Sequence, residues 1–206
     1  MPDGLDKLFG SPHRVRILKL FLMNPSEVLT HEYIAKTARI SGVGARKEIK
    51  LLRKIGLLKS GTRETQVIIR KTKRIKKKRE PGFTVNNLYP YLRGLKILIV
   101  DSFPVSRESL VKKFRDLGRG LKFVALAGVF TGIEGGLDVL VVGDNIRRGK
   151  LDRIIGELGA EIGKELNYVL FDTNEFKYRH SMYDKFVLNV LDNEHDVLFD
   201  TLKAGA

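Results

Sequence analysis

Cysteine is absent from the 206 residues of the chain. This absence excludes disulfides, thiolate metal sites and cysteine nucleophiles, and it fits the reducing environment of the cytoplasm. Long apolar runs are also absent, since no stretch approaches the roughly 18 residues that a membrane helix needs. The first six residues open acidic, unlike the basic start of a signal peptide. We therefore expect a soluble, cytoplasmic protein with no membrane association.

Positive charge is what the chain has in excess. Its 38 lysines and arginines outnumber 24 aspartates and glutamates, which gives a net charge of +14. Residues 1–90 hold 21 of the cations and 7 of the anions, whereas residues 91–206 hold 17 of each. The whole excess therefore belongs to the first 90 residues, which predicts two domains with different roles and a polyanionic partner for the first.

The pattern of charge and turn residues predicts three segments. We place a first domain at residues 1–88, a connecting helix and linker at 89–105, and a second domain at 106–206. The boundary follows Pro81-Gly82, a turn signal, and lies near Asn86-Asn87. The hydrophobic content of 43% is that of a folded protein. The predicted fold class is α+β or α/β.

Three helices are predicted in the first domain. Ser11-Pro12 is typical of a helix start, and Asn24-Pro25 ends this helix. Thr30 caps a short second helix, Ser41-Gly42 leads into a third, and Gly56 ends the third. The predicted buried stripe of the third helix consists of Ile49, Leu51, Leu52 and Ile55. Two helices joined by a short polar turn are typical of a helix-turn-helix.

The third helix also carries a polar face that is rich in cations. Small residues at the start of this helix would allow its backbone to approach the floor of a DNA major groove closely. The candidate DNA-binding residues on this helix are Ser41, Arg46, Lys47, Lys50, Arg53 and Lys54. The alternative is an ordinary solvated helix face.

A basic β-hairpin is predicted after the third helix. The β-branched run Thr65 to Arg70 forms one strand, Phe83 to Val85 forms its partner, and eight of the ten residues 70–79 are lysine or arginine. Such a tip suits contact with phosphates. Its candidate DNA-binding residues are Arg70, Lys71, Lys73, Arg74, Lys76, Lys77, Lys78 and Arg79. A disordered basic loop or a localisation signal is the alternative.

The stretch from Leu8 to Leu18 (LFGSPHRVRIL) resembles the opening of prokaryotic winged-helix transcriptional regulators, and the resemblance extends to about Val85. The resemblance implies binding of double-stranded DNA as a homodimer on a two-fold site. It also implies that the third helix reads most of the base sequence.

The second domain is predicted to be α/β with a small sheet. Its elements follow the order helix, strand, strand, helix, strand, helix, helix, and the last helix begins near Asn193. Ala127 to Phe130 and then Asp138 to Asp144 are similar to the core of minimal nucleotidyltransferases of the polymerase-beta-like superfamily, over roughly residues 106–180. Active members of this superfamily carry a Gly-Ser after the first strand, an Asp-x-Asp on the second strand and a third Asp on the third strand. Their three carboxylates hold two divalent ions.

The sequence departs from that pattern at most functional positions. Gly128-Val129 stands in place of Gly-Ser, Gly136-Leu137-Asp138 in place of Asp-x-Asp, and Asn167 in place of the third Asp. One carboxylate cannot offset the charge of two divalent ions. We therefore expect a degenerate site with no metal, no cofactor and no catalytic residue, where Asp138 hydrogen-bonds the nearby loop.

Other candidate chemistry is sparse. The four histidines are far apart and none has metal-ligand spacing. Asp144 with Arg147, Arg148 and Lys150 could hold a nucleotide phosphate, although helix-end ion pairs explain these residues equally well.

Three functions follow from the sequence. The first is a DNA-binding transcriptional regulator whose second domain senses a ligand or dimerises. The second is a metal-dependent nucleotidyltransferase acting on a protein or RNA, which would need Asp138, Asp144 and Asp172 to form a site. The third is an RNA-binding protein that uses the same basic face.

Overall fold

A computed structural model describes residues 4–69, 74–101, 107–132 and 136–203. The chain divides into two compact units, residues 1–104 with 159–164 and residues 105–158 with 165–206. The fold is mixed α+β with two small sheets, which confirms the predicted fold class at this coarse level. No helix among the described residues is long and apolar enough to cross a membrane.

The first unit contains helices, a short strand and a long hairpin. Its elements are α1 (Gly4–Phe9), α2 (Pro12–Met23), β1 (Leu29–Thr30), α3 (His31–Thr37), α4 (Gly42–Lys54), β2 (Leu58–Ile69), β3 (Arg74–Val85) and α5 (Leu92–Lys96), which continues as a π-helical turn (Ile97–Asp101). Helix α1 and strand β1 are not among the elements predicted from the sequence.

The predicted helix caps of the first unit are confirmed. Ser11 Oγ accepts a hydrogen bond from Arg14 N at 3.3 Å, and Thr30 Oγ1 accepts one from Tyr33 N at 3.3 Å. Each side chain satisfies a backbone N–H that the first helical turn leaves without a partner.

The core of the first unit lies between α2, α3, α4 and the start of the hairpin. Leu18, Phe21, Ile34, Ile49 and Leu52 are among its buried residues. The prediction that Ile55 belongs to the buried stripe is wrong, because its side chain is 48% exposed. α4 ends at Lys54, and after the reversal at Gly56 the buried side chains of Leu57 and Leu58 extend the core instead.

The first sheet has the order β1-β3-β2, and all its strands are antiparallel. The pairing of β2 with β3 runs without a break from Leu58↔Val85 to Ile69↔Arg74. Residues 74–79 therefore lie in strand β3, and their prediction as part of the hairpin tip is wrong. The constant register leaves only residues 70–73 between the two strands.

The Pro81-Gly82 turn signal is also wrong, since both residues lie within β3. Pro81 pairs with Thr62 of β2, and β1 pairs with the other side of β3 at Gly82 and Phe83. A proline can occupy a strand position where its missing N–H interrupts no ladder bond.

The elements that follow residue 105 build the second sheet. They are α6 (Arg107–Arg115), β4 (Leu121–Leu126), a 3-10 turn (Gly128–Phe130), β5 (Val139–Gly143), α7 (Arg148–Ile162), β6 (Tyr168–Phe171), α8 (Thr173–Ser181), α9 (Lys185–Leu191) and β7 (Asp196–Asp200). The sheet order is β6-β5-β4-β7, in which β5 and β6 are parallel and the other pairs are antiparallel.

The prediction of a last helix from Asn193 is wrong. The final helix is α9, and strand β7 follows it and pairs with β4, for example at Ala125↔Val197. Arg107 of α6 fixes this edge strand, since its Nη2 donates to Val197 O at 2.6 Å and its Nη1 binds the Asp196 carboxylate. A short apolar run takes its conformation from such partners, which local sequence does not reveal.

Candidate nucleic-acid interface

The position of α4 is set by its cap and its buried face. Ser41 Oγ accepts a hydrogen bond from Gly44 N at 3.1 Å, so this predicted DNA-binding residue also caps the helix. Ala45, Glu48, Ile49 and Leu52 are the buried residues of α4. The buried face orients the opposite face of the helix toward solvent.

All five predicted cations of α4 are on its exposed face. Successive helix residues are rotated by about 100°, so positions 46, 47, 50, 53 and 54 fall on one side of α4. The structure exposes every one of them: Arg46, Lys47, Lys50, Arg53 and Lys54. Val43, which is 70% exposed, lies on the same side at the N-terminal end.

The single acidic residue of α4 faces away from these cations. Glu48 is buried, and its Oε2 accepts a hydrogen bond from Arg14 Nε of α2 at 2.8 Å. Arg14 Nη1 also donates to Phe9 O at 2.6 Å. The pair neutralises Glu48 inside the unit, and the exposed face of α4 carries cations and no carboxylate.

Two arginines stack on aromatic rings beside this face. The Arg53 guanidinium lies 5.7 Å from the Phe83 ring centroid on β3, and the Arg63 guanidinium of β2 lies 5.9 Å from that of Tyr33 on α3. Cation–π contacts of this length are stabilising. Arg53 therefore also links α4 to the hairpin, a role that its charge alone did not indicate.

The hairpin extends well beyond the three-stranded part of its sheet. Beyond Gly82, β2 and β3 pair alone from Thr62↔Pro81 to Ile69↔Arg74, which is eight residue pairs. At about 3.3 Å per residue, this two-stranded ribbon is roughly 26 Å long. The predicted residues Arg74, Lys76, Lys77, Lys78 and Arg79 lie along β3 of the ribbon. Arg70, Lys71 and Lys73 lie outside the described residues.

Two of the ribbon cations pair with acidic neighbours. Arg79 Nε lies 2.7 Å from Glu64 Oε1 on the opposite strand, and Lys78 Nζ lies 2.7 Å from Glu80 Oε1. The hydrogen bond to Glu80 and the charge of that carboxylate raise the pKa of Lys78 above its ordinary value. Lys78 and Arg79 are exposed, but each already has an anionic partner.

Arg39, an exposed cation in the turn between α3 and α4, is not among the predicted site residues. Its backbone is in the left-handed region, with φ of +53°, directly before Ile40 and the cap residue Ser41. Its charge in a turn preceding the cationic helix was a signal that the sequence offered.

The five residues predicted as a degenerate nucleotidyltransferase site do lie together. The Asp138 carboxylate, 4% exposed, accepts hydrogen bonds from Val129 N at 2.9 Å and from Asn167 N at 2.8 Å. Asn167 Nδ2 donates to Gly136 O at 3.3 Å. A Cβ on Gly128 would lie 2.4 Å from Asp138 Oδ1, so the turn at Gly128 closes directly over the carboxylate. The predicted hydrogen bonding between Asp138 and the nearby loop is confirmed, with the Asp138 carboxylate as the acceptor.

The other two carboxylates proposed for an enzymatic site, those of Asp144 and Asp172, accept hydrogen bonds from backbone N–H groups at other places in the chain. Asp144 accepts hydrogen bonds from Thr173 N at 3.0 Å and from Thr173 Oγ1 at 2.7 Å, and these bonds lower the pKa of Asp144. Asp172 caps α8 by accepting from Glu175 N at 2.7 Å. Over residues 4–69, 74–101, 107–132 and 136–203, no three His, Asp or Glu side chains form a group that could hold a metal ion.

Lys150, which could hold a nucleotide phosphate together with Asp144 and two arginines or form a helix-end ion pair, donates to the backbone oxygen of Asp116.

Comparison with protein-family models, with curated proteins and with solved structures finds no significant match for this chain.

Proposed function

We propose that the chain is a DNA-binding transcriptional regulator that contacts duplex DNA through α4 and the β2–β3 ribbon. The observation that carries the proposal is the arrangement of α4, which exposes five cations on one side and buries its only acid on the other. A face of this kind attracts a polyanion. Its exposed surface carries no acidic side chain that would repel the polyanion.

In this proposal α3, the turn after it and α4 act as a helix-turn-helix. The major groove of B-DNA, about 12 Å wide, accepts an α-helix. Small residues at the start of α4 allow close approach there, and Val43 is exposed where it can contact a base methyl group. Arg39 and Ser41 precede the helix, at a position suited to the phosphate backbone.

The ribbon takes the role of the wing of a winged-helix domain. Its β3 strand carries five cations between Arg74 and Arg79, and Arg53 over the Phe83 ring couples it to α4. Phosphate contacts from the ribbon would position α4 without reading sequence themselves.

Duplex DNA is favoured over duplex RNA because of the shape of the cationic element. The major groove of A-form RNA is deep and narrow, and a helix cannot enter it. A cationic helix whose tip is built from Gly42, Val43 and Gly44 suits the wider groove of B-DNA.

In the same proposal the second domain is nucleotidyltransferase-like and has no metal-dependent activity. The support is the role of Asp138, whose buried carboxylate joins the ends of three strands through backbone N–H groups. Such a domain would serve sensing or dimerisation.

Binding to a labelled duplex, measured by anisotropy over a range of salt, tests the proposal. Replacing Lys76, Lys77 and Lys78 by glutamine should flatten the slope of log K against log[salt] by about 0.9 for each phosphate contact that is lost, and by about 2.7 at most. The matched control replaces the exposed residues Lys112, Arg115 and Arg119, which changes the net charge equally and should leave the slope nearly unchanged.

Equal flattening by both triple variants would mean that only net charge matters, and it would remove the ribbon from the interface. Stronger binding to a structured RNA than to duplex DNA at equal salt would replace the proposal with the RNA-binding function.

A further inference from the structure

The second unit presents a cluster of large exposed side chains at the junction of α8 and α9. The aromatic patch, as we name it, consists of Tyr178, Met182, Tyr183 and Phe186. Their exposed fractions lie between 47% for Phe186 and 76% for Tyr183. Tyrosine, phenylalanine and methionine are enriched in the cores of protein–protein interfaces.

Tyr183 occupies a backbone position that normally selects glycine. Its φ is +53°, its N–H donates to His180 O at 3.2 Å, and Asp184 N–H donates to Arg179 O at 2.9 Å. These two bonds close the end of α8 in the motif whose left-handed residue is usually glycine. A bulky side chain with positive φ is a rare, costly choice. Because the Tyr183 ring is largely exposed, packing within the unit does not offset that cost.

The patch rests on a fixed base. Arg179 lies with its guanidinium 4.9 Å from the Phe171 ring centroid and bonds to Glu175 Oε1 at 2.9 Å and to Asp184 Oδ2 at 3.1 Å. Phe186 packs edge-on against Phe171, with centroids 6.4 Å apart. Side chains held in this way lose little conformational entropy on binding.

The charges around the patch suit a second copy of the same surface. Residues 172–185, which carry the patch, contain three cations and three anions, so their net charge is 3 − 3 = 0, and Arg179 already pairs with Glu175 and Asp184. A two-fold contact places one patch against its own copy, and a surface without net charge does not repel that copy. The first 90 residues are less suited to such a contact, because their net charge of +14 is repulsive between copies.

We infer that the aromatic patch is the contact through which two copies of this chain form a homodimer. The inference deepens the proposed function, since two linked DNA-binding units match a two-fold DNA site, but the contact itself needs no DNA. The dimer is held by apolar burial around Tyr183.

The test is sedimentation equilibrium of the full chain without nucleic acid, comparing the wild type with Tyr183→Gly. The wild type should dimerise, and Tyr183→Gly should weaken the dimerisation constant by about thirtyfold, the effect of losing a hot-spot tyrosine. The same substitution relieves the positive φ, so it should raise the thermal midpoint by about 1–3 °C when measured below the dimerisation constant. Weaker association by a more stable chain cannot be attributed to misfolding.

Lys203→Gly is the matched control because Lys203 also has positive φ, at +55°, and is exposed outside the patch. It should leave association unchanged. A wild type that stays monomeric at about 100 μM, well above the range of specific interfaces, would overturn the inference, as would a dimer unaffected by Tyr183→Gly. A monomer whose patch variants lose binding to another protein or to single-stranded nucleic acid would assign the patch to that partner instead. DNA binding is measured separately, so failure of the dimer leaves the proposed DNA-binding function standing.

Discussion

At the scale of single residues, two helix ends of the first unit share one motif but use different residues. After α4, Gly56 has φ of +83° and Leu57 N–H donates to Leu52 O at 3.0 Å. After α3, Arg39 has φ of +53°, and the equivalent bond joins Ile40 to Ala35, also at 3.0 Å. Glycine adopts this conformation readily, whereas a residue with a Cβ loses about 1–2 kcal/mol.

We expect substitutions at these two positions to have opposite effects on stability. Gly56→Ala should lower the free energy of unfolding by about 1 kcal/mol, because the added Cβ meets no atom within 4 Å and only the backbone conformation is penalised. Arg39→Gly should raise it by about 0.5–1 kcal/mol. Urea denaturation followed by circular dichroism measures both changes.

Gly94→Ala is the control for this pair, since Gly94 lies within α5 and also has open space around the Cβ position. Alanine favours a helix there, so this variant should be neutral or slightly stabilising. If Gly94→Ala and Gly56→Ala were equally destabilising, the argument from φ would be wrong.

Sequence reasoning at this scale succeeds where a residue follows its usual preference. Ser11, Thr30 and Gly56 occupy the cap positions that their chemistry favours, and all three were predicted. Arg39 and Tyr183 occupy glycine positions, which no preference for arginine or tyrosine could indicate. Such exceptions become visible only once φ is known.

At the scale of elements, one carboxylate connects the strands of the second sheet. Asp138 precedes β5, and it accepts from Val129 after β4 and from Asn167 before β6. We expect Asp138→Asn to lower the stability of this unit by about 1–3 kcal/mol, since the amide NH₂ would face a backbone N–H and leave it without an acceptor. Thermal or urea unfolding measures the loss.

Asp116→Asn is the matched control, because Asp116 is exposed and its described hydrogen bond uses its backbone oxygen. It should shift the unfolding transition by less than about 0.5 kcal/mol. A fully stable Asp138→Asn variant would contradict the structural role of this carboxylate and would reopen a role in ligand binding.

Which elements could be predicted from sequence depends on how local their causes are. The helices α2, α3 and α4 follow from caps and apolar spacing within their own residues. The extent of β2 and β3 follows from a register that persists past Pro81 and Gly82, and β7 exists because it pairs with β4, about 70 residues earlier in the sequence. Pairings of this kind are set by the fold as a whole.

At the scale of the whole molecule, net charge is distributed unequally between the first 90 residues and the remainder of the chain. The first 90 residues carry the entire net charge of +14, and the remainder is balanced. Without a polyanion, like charges in the first part repel one another and oppose its compact state.

Salt should therefore stabilise the two parts differently. Raising NaCl from about 50 to about 500 mM shortens the screening length from roughly 14 to 4 Å. We expect amide protection over residues 4–69 to increase by about 0.5–1 kcal/mol in free energy of opening. Protection over residues 136–203 should change little.

Hydrogen exchange read by mass spectrometry at both salt concentrations resolves the two parts in one sample, and the balanced part serves as the internal control. A similar response in both would show that the salt acts through solvent exclusion rather than through charge.

Under the proposed function, the length of the two-stranded ribbon also has a consequence for crowded DNA. At about 3.4 Å per base pair, a ribbon of roughly 26 Å laid along a duplex spans about eight base pairs. A copy bound in this way occupies those base pairs whether or not it reads them. Neighbouring copies whose ribbons follow the same face of the duplex would then be spaced by at least that distance, so the density of bound protein on a long duplex would saturate early. The ribbon would thus set the spacing between copies, independently of the sequence that α4 selects.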